Sequence, residues 1–321
     1  MGMEGFRDYL VSRNFGEDDI EAALKSVREL KDYLEGMGGG IHNTSVDHVR
    51  SYFRQLVETG KNSMQRFIDL ARYFYFTGQH QVYIYIISTI SGREVLDSIS
   101  EKLVKEMGTD CQARIFDGLR NPPLGSPPEV YVDNTLTIVR RLLDEGEDTC
   151  HEMLADNHHG IPRESFERFA EIYRGADSID DFLKELHEER VRELQRHVDE
   201  GRAWYEQEIT PEVVELVKSN QEMLSAVRKG DYLYITKIPY APKDWLVESD
   251  PVRKRYLACH CPLARGAILR EDMDIPMDWC YCSGGFHKWM YDVLFNELTE
   301  VEVLESVLAG NDRCRFRIRL P

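Results

Sequence analysis

The sequence has no apolar run approaching the ~20 residues of a membrane span. It also lacks an apolar stretch near its start. MGMEGFRDYLVSRNFGEDD is polar and acidic, so a secretory signal is not expected. Met1-Gly2 opens like a myristoylation site, but Phe6 stands where a Ser or Thr is required. Positive charge is in deficit, with a formal net charge of −17. A general nucleic-acid binder needs a basic footprint, so nucleic acid is not an expected partner and the acidic surface reads as a solubilising one. With 321 residues, 42% of them hydrophobic, the chain can bury a core without disulfides. Together these features lead us to expect a cytoplasmic, reduced, globular protein of two or three domains with no membrane association.

The front of the chain reads as helices. Asp18 or Asp19 can cap a segment whose Ile20, Ala23, Leu24, Val27, Leu30 and Leu34 share one face. Thr44 or Ser45 opens the next helix, closed by Gly60, and Asn62 or Ser63 a third, closed by Gly78. VYIYIISTI (82–90) has strand propensity but sits among helices, and we expect it to be a buried helix. Residues 121–128, NPPLGSPP, form a linker. Further helices are expected from Tyr131 to Leu143, from Ser178 to Glu208, and after Thr210-Pro211 up to about Lys229-Gly230, with His158-His159 in a surface loop. The units are thus 1–120, helical; 121–229, a helical connection; and 230–321.

From residue 230 the character changes. Tyr232 to Ile238 reads as a strand, and Pro239, Pro242 and Pro251 mark loops. A helix can begin at Ser283, and the chain closes with a hairpin of EVEVLESVL and RCRFRIRLP. In the last strand Cys314, Phe316, Ile318 and Leu320 face one way and four arginines the other. The arginines are expected to pair with Glu300 and Glu302 on the neighbouring strand. The fold class is therefore α+β: a mostly helical first two thirds, then a small domain with an antiparallel sheet.

Five of the seven cysteines fall in this last unit, four of them in the pairs Cys259-His260-Cys261 and Cys280-Tyr281-Cys282. Three readings are open. In strands or turns the sulfurs of each pair can converge, so Cys259, Cys261, Cys280 and Cys282 could hold zinc as four thiolates, with His260 and His287 as further ligands. Alternatively, a helix starting at Ser283 would lower the pKa of Cys282 and Cys280. His287 or His260 would then serve as base, Asp278 as its orienting group, and the amides of Ser283, Gly284 and Gly285 as an anion cradle beside Trp279. Finally, the cysteines could be small buried residues of a Gly-rich turn, the reading that also suits Cys314, Cys111 and Cys150.

Two resemblances accompany these readings. The helices VDHVRSYFRQLVETGKN and LARYFYFTG resemble the core-binding module of tyrosine recombinases, but residues 1–120 hold 15 Lys+Arg against 18 Asp+Glu, a local charge of −3. Cys261-Pro262, CYCSGGFHKWMYDVLF, EVEVLESVL and CRFRI together resemble the 4-vinyl reductase domain and the related L-2-amino-thiazoline-4-carboxylic acid hydrolase-like proteins over 231–321. KRYLACHCP and WCYCSGG are similar to an uncharacterised bacterial family that joins this domain to a helical front half. The likeness implies an antiparallel sheet and a small-molecule pocket, with Cys261, Cys280 and Cys282 as the positions carried over. The resulting expectation is a small-molecule-binding protein, capable of homodimerising through its helical half. The alternatives are a hydrolase of a small sulfur or nitrogen compound, using a Cys thiolate or zinc-bound water, and a scaffold with structural cysteines.

Overall fold

The computed structural model describes residues 2–321. Its first five helices are α1 (Met3–Ser12), α2 (Glu17–Gly36), α3 (Val46–Glu58), α4 (Met64–Phe76) and α5 (His80–Ser88). The whole expected face of α2 is buried, although Gly16 is its cap and Asp18 and Asp19 lie within the first turn. Ser45 caps α3 in a reciprocal pair with His48, and Ser63 caps α4. The β-rich stretch from Val82 lies largely in α5, where Val82, Tyr85 and Ile86 are buried; with no strand beside it to pair with, packing overrides propensity. These helices share one core, whose last buried member is Ile90.

A second core begins at Val95 and gathers α6 (Ser91–Met107), α7 (Thr109–Phe116), α8 (Val132–Asp144) and α9 (Glu147–Leu154). The expected first unit, 1–120, therefore spans two cores. The second core also takes Leu263, Ala264, Ala267, Ile275, Trp279 and Cys282 from the last third of the chain. The proline-rich linker folds back on the first core. Gly125 there has φ +87°, and a Cβ on it would lie 2.5 Å from the Phe67 ring.

Helices α10 (Glu167–Gly175), α11 (Ile179–Asp199) and α12 (Pro211–Lys218) follow. Two of them are shorter than expected. Gly201, at φ +61°, turns the chain soon after α11, and α12 stops at Lys218. Strand β1 (Val227–Lys229) then occupies what looked like helix, and Gly230 (φ +62°) turns into β2 (Tyr232–Thr236). Pro242 and Pro251, expected in loops, instead start α13 (Pro242–Val247) and α14 (Pro251–Ala258), at positions where a missing N–H costs nothing. The chain ends with α15 (Tyr281–Phe295), β3 (Val301–Glu305) and β4 (Arg315–Arg319).

The sheet is antiparallel, in the order β1-β2-β4-β3. The architecture is α+β, as expected. Leu233 faces Ile318 and Ile235 faces Phe316 across the central pair. Leu233, Ile235 and Ile318 share a core with Phe182 and Leu186 of α11 and Tyr291 of α15. On the opposite face Arg317 pairs with Glu302 and Arg319 with Glu300. Arg315 departs from that pattern and grips Glu222 through two bonds of 2.7 and 2.8 Å. Burial raises the Glu222 carboxyl, but Arg315 and the Thr236 hydroxyl outweigh it and hold the group at about 2. No helix among the described residues is long and apolar enough to cross a membrane.

Candidate ligand-binding cleft around Lys237

The period-two alternation that buries Leu233 and Ile235 continues beyond the end of β2 to Lys237, which therefore points to the core side of the sheet. A lysine there must find a polar partner. Its Nζ donates to Ser283 Oγ at 2.8 Å and lies 5.8 Å from the centre of the Phe286 ring. No carboxylate among the described residues comes within 4.0 Å of it.

Three imidazoles feel this lysine. His260, just after α14, donates from Nε2 to the Ile238 carbonyl at 2.7 Å, which leaves Nδ1 as an acceptor. Burial, then the charge of Lys237, holds it well below its ordinary pKa. His287, on α15, is shifted the same way by the same causes, and its Nε2 is buried without a hydrogen-bond partner. His159 meets the Phe286 ring edge-on at 5.2 Å. One side of His159 is open to solvent, yet crowding on the others, followed by Lys237 and His158, brings it down to about 4. All three are thus neutral near pH 7, each with a nitrogen lone pair to offer.

A second polar group adjoins. Tyr240 donates its hydroxyl to Glu206 Oε2 at 3.1 Å, and the Arg265 guanidinium stacks 4.4 Å over the Tyr240 ring. Burial raises the Glu206 carboxyl, against the pull of Tyr240, Arg265 and Lys237. On its other side Lys237 borders a cavity of about 450 Å³, where Lys254 and Arg313 add to its positive charge and Glu248 and Asp312 oppose it. Lys237 thus faces both a nest of neutral imidazoles and an open volume large enough for a small metabolite.

The expected site residues divide. Ser283 and His287 lie at Lys237, His260 lies under the same charge, and Cys282 packs in the second core with Cys261 beside it. Trp279, expected to touch a ligand, is 1% exposed and donates to Cys261 Sγ at 3.3 Å, so it is core. Asp278 does not orient His287; it pairs with His151 at 2.7 Å. His158 is not in an open loop but buried between Ser98 and the Met153 carbonyl.

The glycine pair does not form an anion cradle. Helix α15 starts at Tyr281, continuous with a 3₁₀ turn at Met277–Cys280, so Gly284 and Gly285 lie inside it. They serve close packing instead, Gly284 against Val301 and Gly285 against the backbone of Ala155 and Asp156.

The thiols are likewise less available than expected. Cys280 lies at the start of α15, 3.0 Å from Ser306 Oγ, and burial holds it well above the ordinary thiol range. Burial pushes Cys259 and Cys282 up to about 12. Loss of hydration outweighs whatever the helix terminus contributes. Nor do the sulfurs converge. Among the described residues the one place where three ligand atoms lie within 4.8 Å of one another is Glu147, His151 and Asp278, so Cys259, Cys261, Cys280 and Cys282 do not close a four-thiolate cage, with or without His260 or His287. Titrating the native protein with a chromogenic disulfide at pH 7.5 should therefore modify the partly exposed Cys261 first and Cys314, whose thiol burial also raises, more slowly, with all seven free cysteines reacting in denaturant. A fast native adduct mapped to Cys280 or Cys282 would restore thiolate chemistry.

Lys237, His159, Glu206, Tyr240 and Arg265 were not among the residues picked out from sequence. For Lys237 a signal existed, because alternation from Leu233 places it on the buried face. No curated protein and no solved structure matches the chain. The segment that carries Tyr240, His260, Arg265, Ser283 and His287 is similar to a family described as a family of unknown function (DUF6144), whose model matches residues 240–321.

Proposed function

We infer that this protein binds a small anionic molecule in the cleft around Lys237. The observation that carries this reading is a half-buried lysine with a hydroxyl partner and no carboxylate at salt-bridge distance. Burying a cation without a counter-ion is costly, and a ligand carboxylate or phosphate would remove that cost. In the cavity Lys254 and Arg313 add further positive charge and Ser249 a hydroxyl, while Ser283, His260 and His287 lie on the lysine's other side. The resemblance of 231–321 to the 4-vinyl reductase domain carries the expectation of a small-molecule pocket, which agrees with an occupant of this size.

The unpartnered His287 nitrogen favours a second reading on the imidazole side of Lys237, hydrolysis with His287 as general base for a water. In that case Lys237 would stabilise the developing oxyanion.

The test is thermal denaturation against inorganic phosphate and a panel of short mono- and dicarboxylates at pH 7. At least one should raise the melting temperature saturably, by RT ln(1 + [L]/Kd) in free energy. Lys237→Met should weaken that anion's binding by a factor of ten or more. Equal stabilisation of wild type and variant by every effective anion, or no effective anion at all, would remove the inference.

A further inference from the structure

The geometry points to a divalent-cation site formed by Glu147, His151 and Asp278, separate from the Lys237 cleft and independent of the function proposed for it. Glu147 and His151 are four apart on α9, so they share one face of that helix. Asp278 comes from the 3₁₀ turn that leads into α15. One carboxylate oxygen from each acid and one imidazole nitrogen lie within 4.8 Å of one another. An ion with bonds of about 2.1 Å holds its ligands about 3 Å apart, within reach of small rotamer adjustments from this arrangement.

Three observations favour an ion over a plain surface cluster. First, charge: Asp278 is hydrogen-bonded to His151 at 2.7 Å, and no lysine or arginine among the described residues comes within 4.0 Å of Glu147 or Asp278. The two carboxylates thus face one another with no fixed cation beside them, and one divalent ion would balance both. Second, the imidazole is held in place. The Tyr281 ring stacks on it at 3.6 Å, with 12° between the planes, fixing the nitrogen edge toward the acids. Third, His151 and Asp278 are only partly exposed, so a bound ion would keep fewer waters than at an open acidic patch.

The donor set of one nitrogen and two carboxylate oxygens suits a first-row transition ion such as Mn²⁺ or Fe²⁺ better than a thiophilic one. Binding replaces the Nε2 proton that now bridges to Asp278. The neutral imidazole then carries its proton on Nδ1 instead, moved there through solvent with none released, which frees the Nε2 lone pair for the ion. The ion would join α9 of the second core to the turn that launches α15.

Mn²⁺ is the probe, because it competes poorly for the seven free thiols. Paramagnetic resonance of free Mn²⁺ counts bound ions on the full chain. The expected result is one site per chain, with affinity lowered at least tenfold by Glu147→Gln and by His151→Gln. Glu147 is exposed, so its variant tests the site even if the His151 variant folds poorly. Loaded protein should also melt at a higher temperature than the metal-free form, and the gain should vanish in Glu147→Gln. The proposal is overturned if no site tighter than about 1 mM exists, or if Glu147→Gln binds as the wild type does.

Discussion

Replacing Gly285 with alanine is expected to destabilise the protein by about 3 kcal/mol or more, at the severe end of what overpacking does. A Cβ on Gly285 would lie 2.4 Å from both the amide nitrogen and the carbonyl oxygen of Asp156, and 2.7 Å from the Ala155 carbonyl carbon. These are backbone atoms at the end of α9, and they cannot swing aside as a side-chain terminus can. Helix propensity alone predicts the opposite sign, since alanine is favoured over glycine within a helix by about 1 kcal/mol. The steric term must exceed that gain, which makes the sign of the effect informative. Gly284→Ala is the control. Its Cβ would meet Val301 methyl carbons at 3.2 Å, contacts that a small rotation relieves, so a loss of roughly 1 kcal/mol or less is expected. Urea denaturation followed by tryptophan fluorescence measures both. If Gly285→Ala matched wild type within about 0.5 kcal/mol, α15 would not be seated on residues 155–156 as described.

Acidification from pH 7 to pH 5 is expected to lower stability steeply, before carboxylate protonation becomes important. His260 and His287 have folded-state pKa values well below the unfolded value, for burial first and Lys237 second. Their stabilising contribution is complete above the unfolded pKa of about 6.5. Below it the unfolded chain takes up protons that the folded chain refuses. Each group then removes up to about 1.4 kcal/mol per pH unit, until the pH reaches its folded pKa. His159 adds in the same direction down to about pH 4, weakened by its open side. The ion-paired Glu222, held at about 2, loses its contribution only below the ordinary carboxylate range, a lower window. Glu206 acts with the opposite sign: its carboxyl is raised, so protonation favours the folded state and partly offsets the histidines. Denaturation midpoints at half-unit steps should therefore fall from pH 6.5 to pH 5, and His287→Gln should flatten the slope. A flat profile over that interval would mean that the imidazoles are not held neutral.

How much of this could be read beforehand depended on whether a residue's environment comes from its own segment. The buried face of α2 and the alternation of β4 were legible because helix and strand periods are local. The arginine–glutamate pairs followed from the hairpin, save that Arg315 turned to Glu222, which reaches the sheet from before β1. The start of α15 was misplaced although Pro276 stood ready to begin the turn at Met277. The two glycines were readable as needed but not for what purpose, because their neighbours at 155–156 and 301 are distant in sequence. The cleft was least accessible. His159, Glu206, Lys237, His260 and His287 come from separate segments, and only Lys237 broke a local rule. The cysteine pairs drew notice by their spacing, whereas their chemistry is set by burial, which spacing does not report.

The shared cores have a consequence for what counts as a unit of this chain. The segment similar to a family model starts at Tyr240, but β2, the central partner of β4, ends at Thr236. Leu263, Ala264 and Trp279 share a core with the helices α6 to α9, all of which lie before residue 155 and outside the segment. Cut at that boundary, β4 would present Phe316 and Ile318 along an unpaired edge, the form of surface that recruits other strands. The stretch that recurs as a sequence is therefore not a stretch that closes as a solid. Recombining it with other front halves would require each of them to bring its own equivalent of β2 and of the face that receives Trp279.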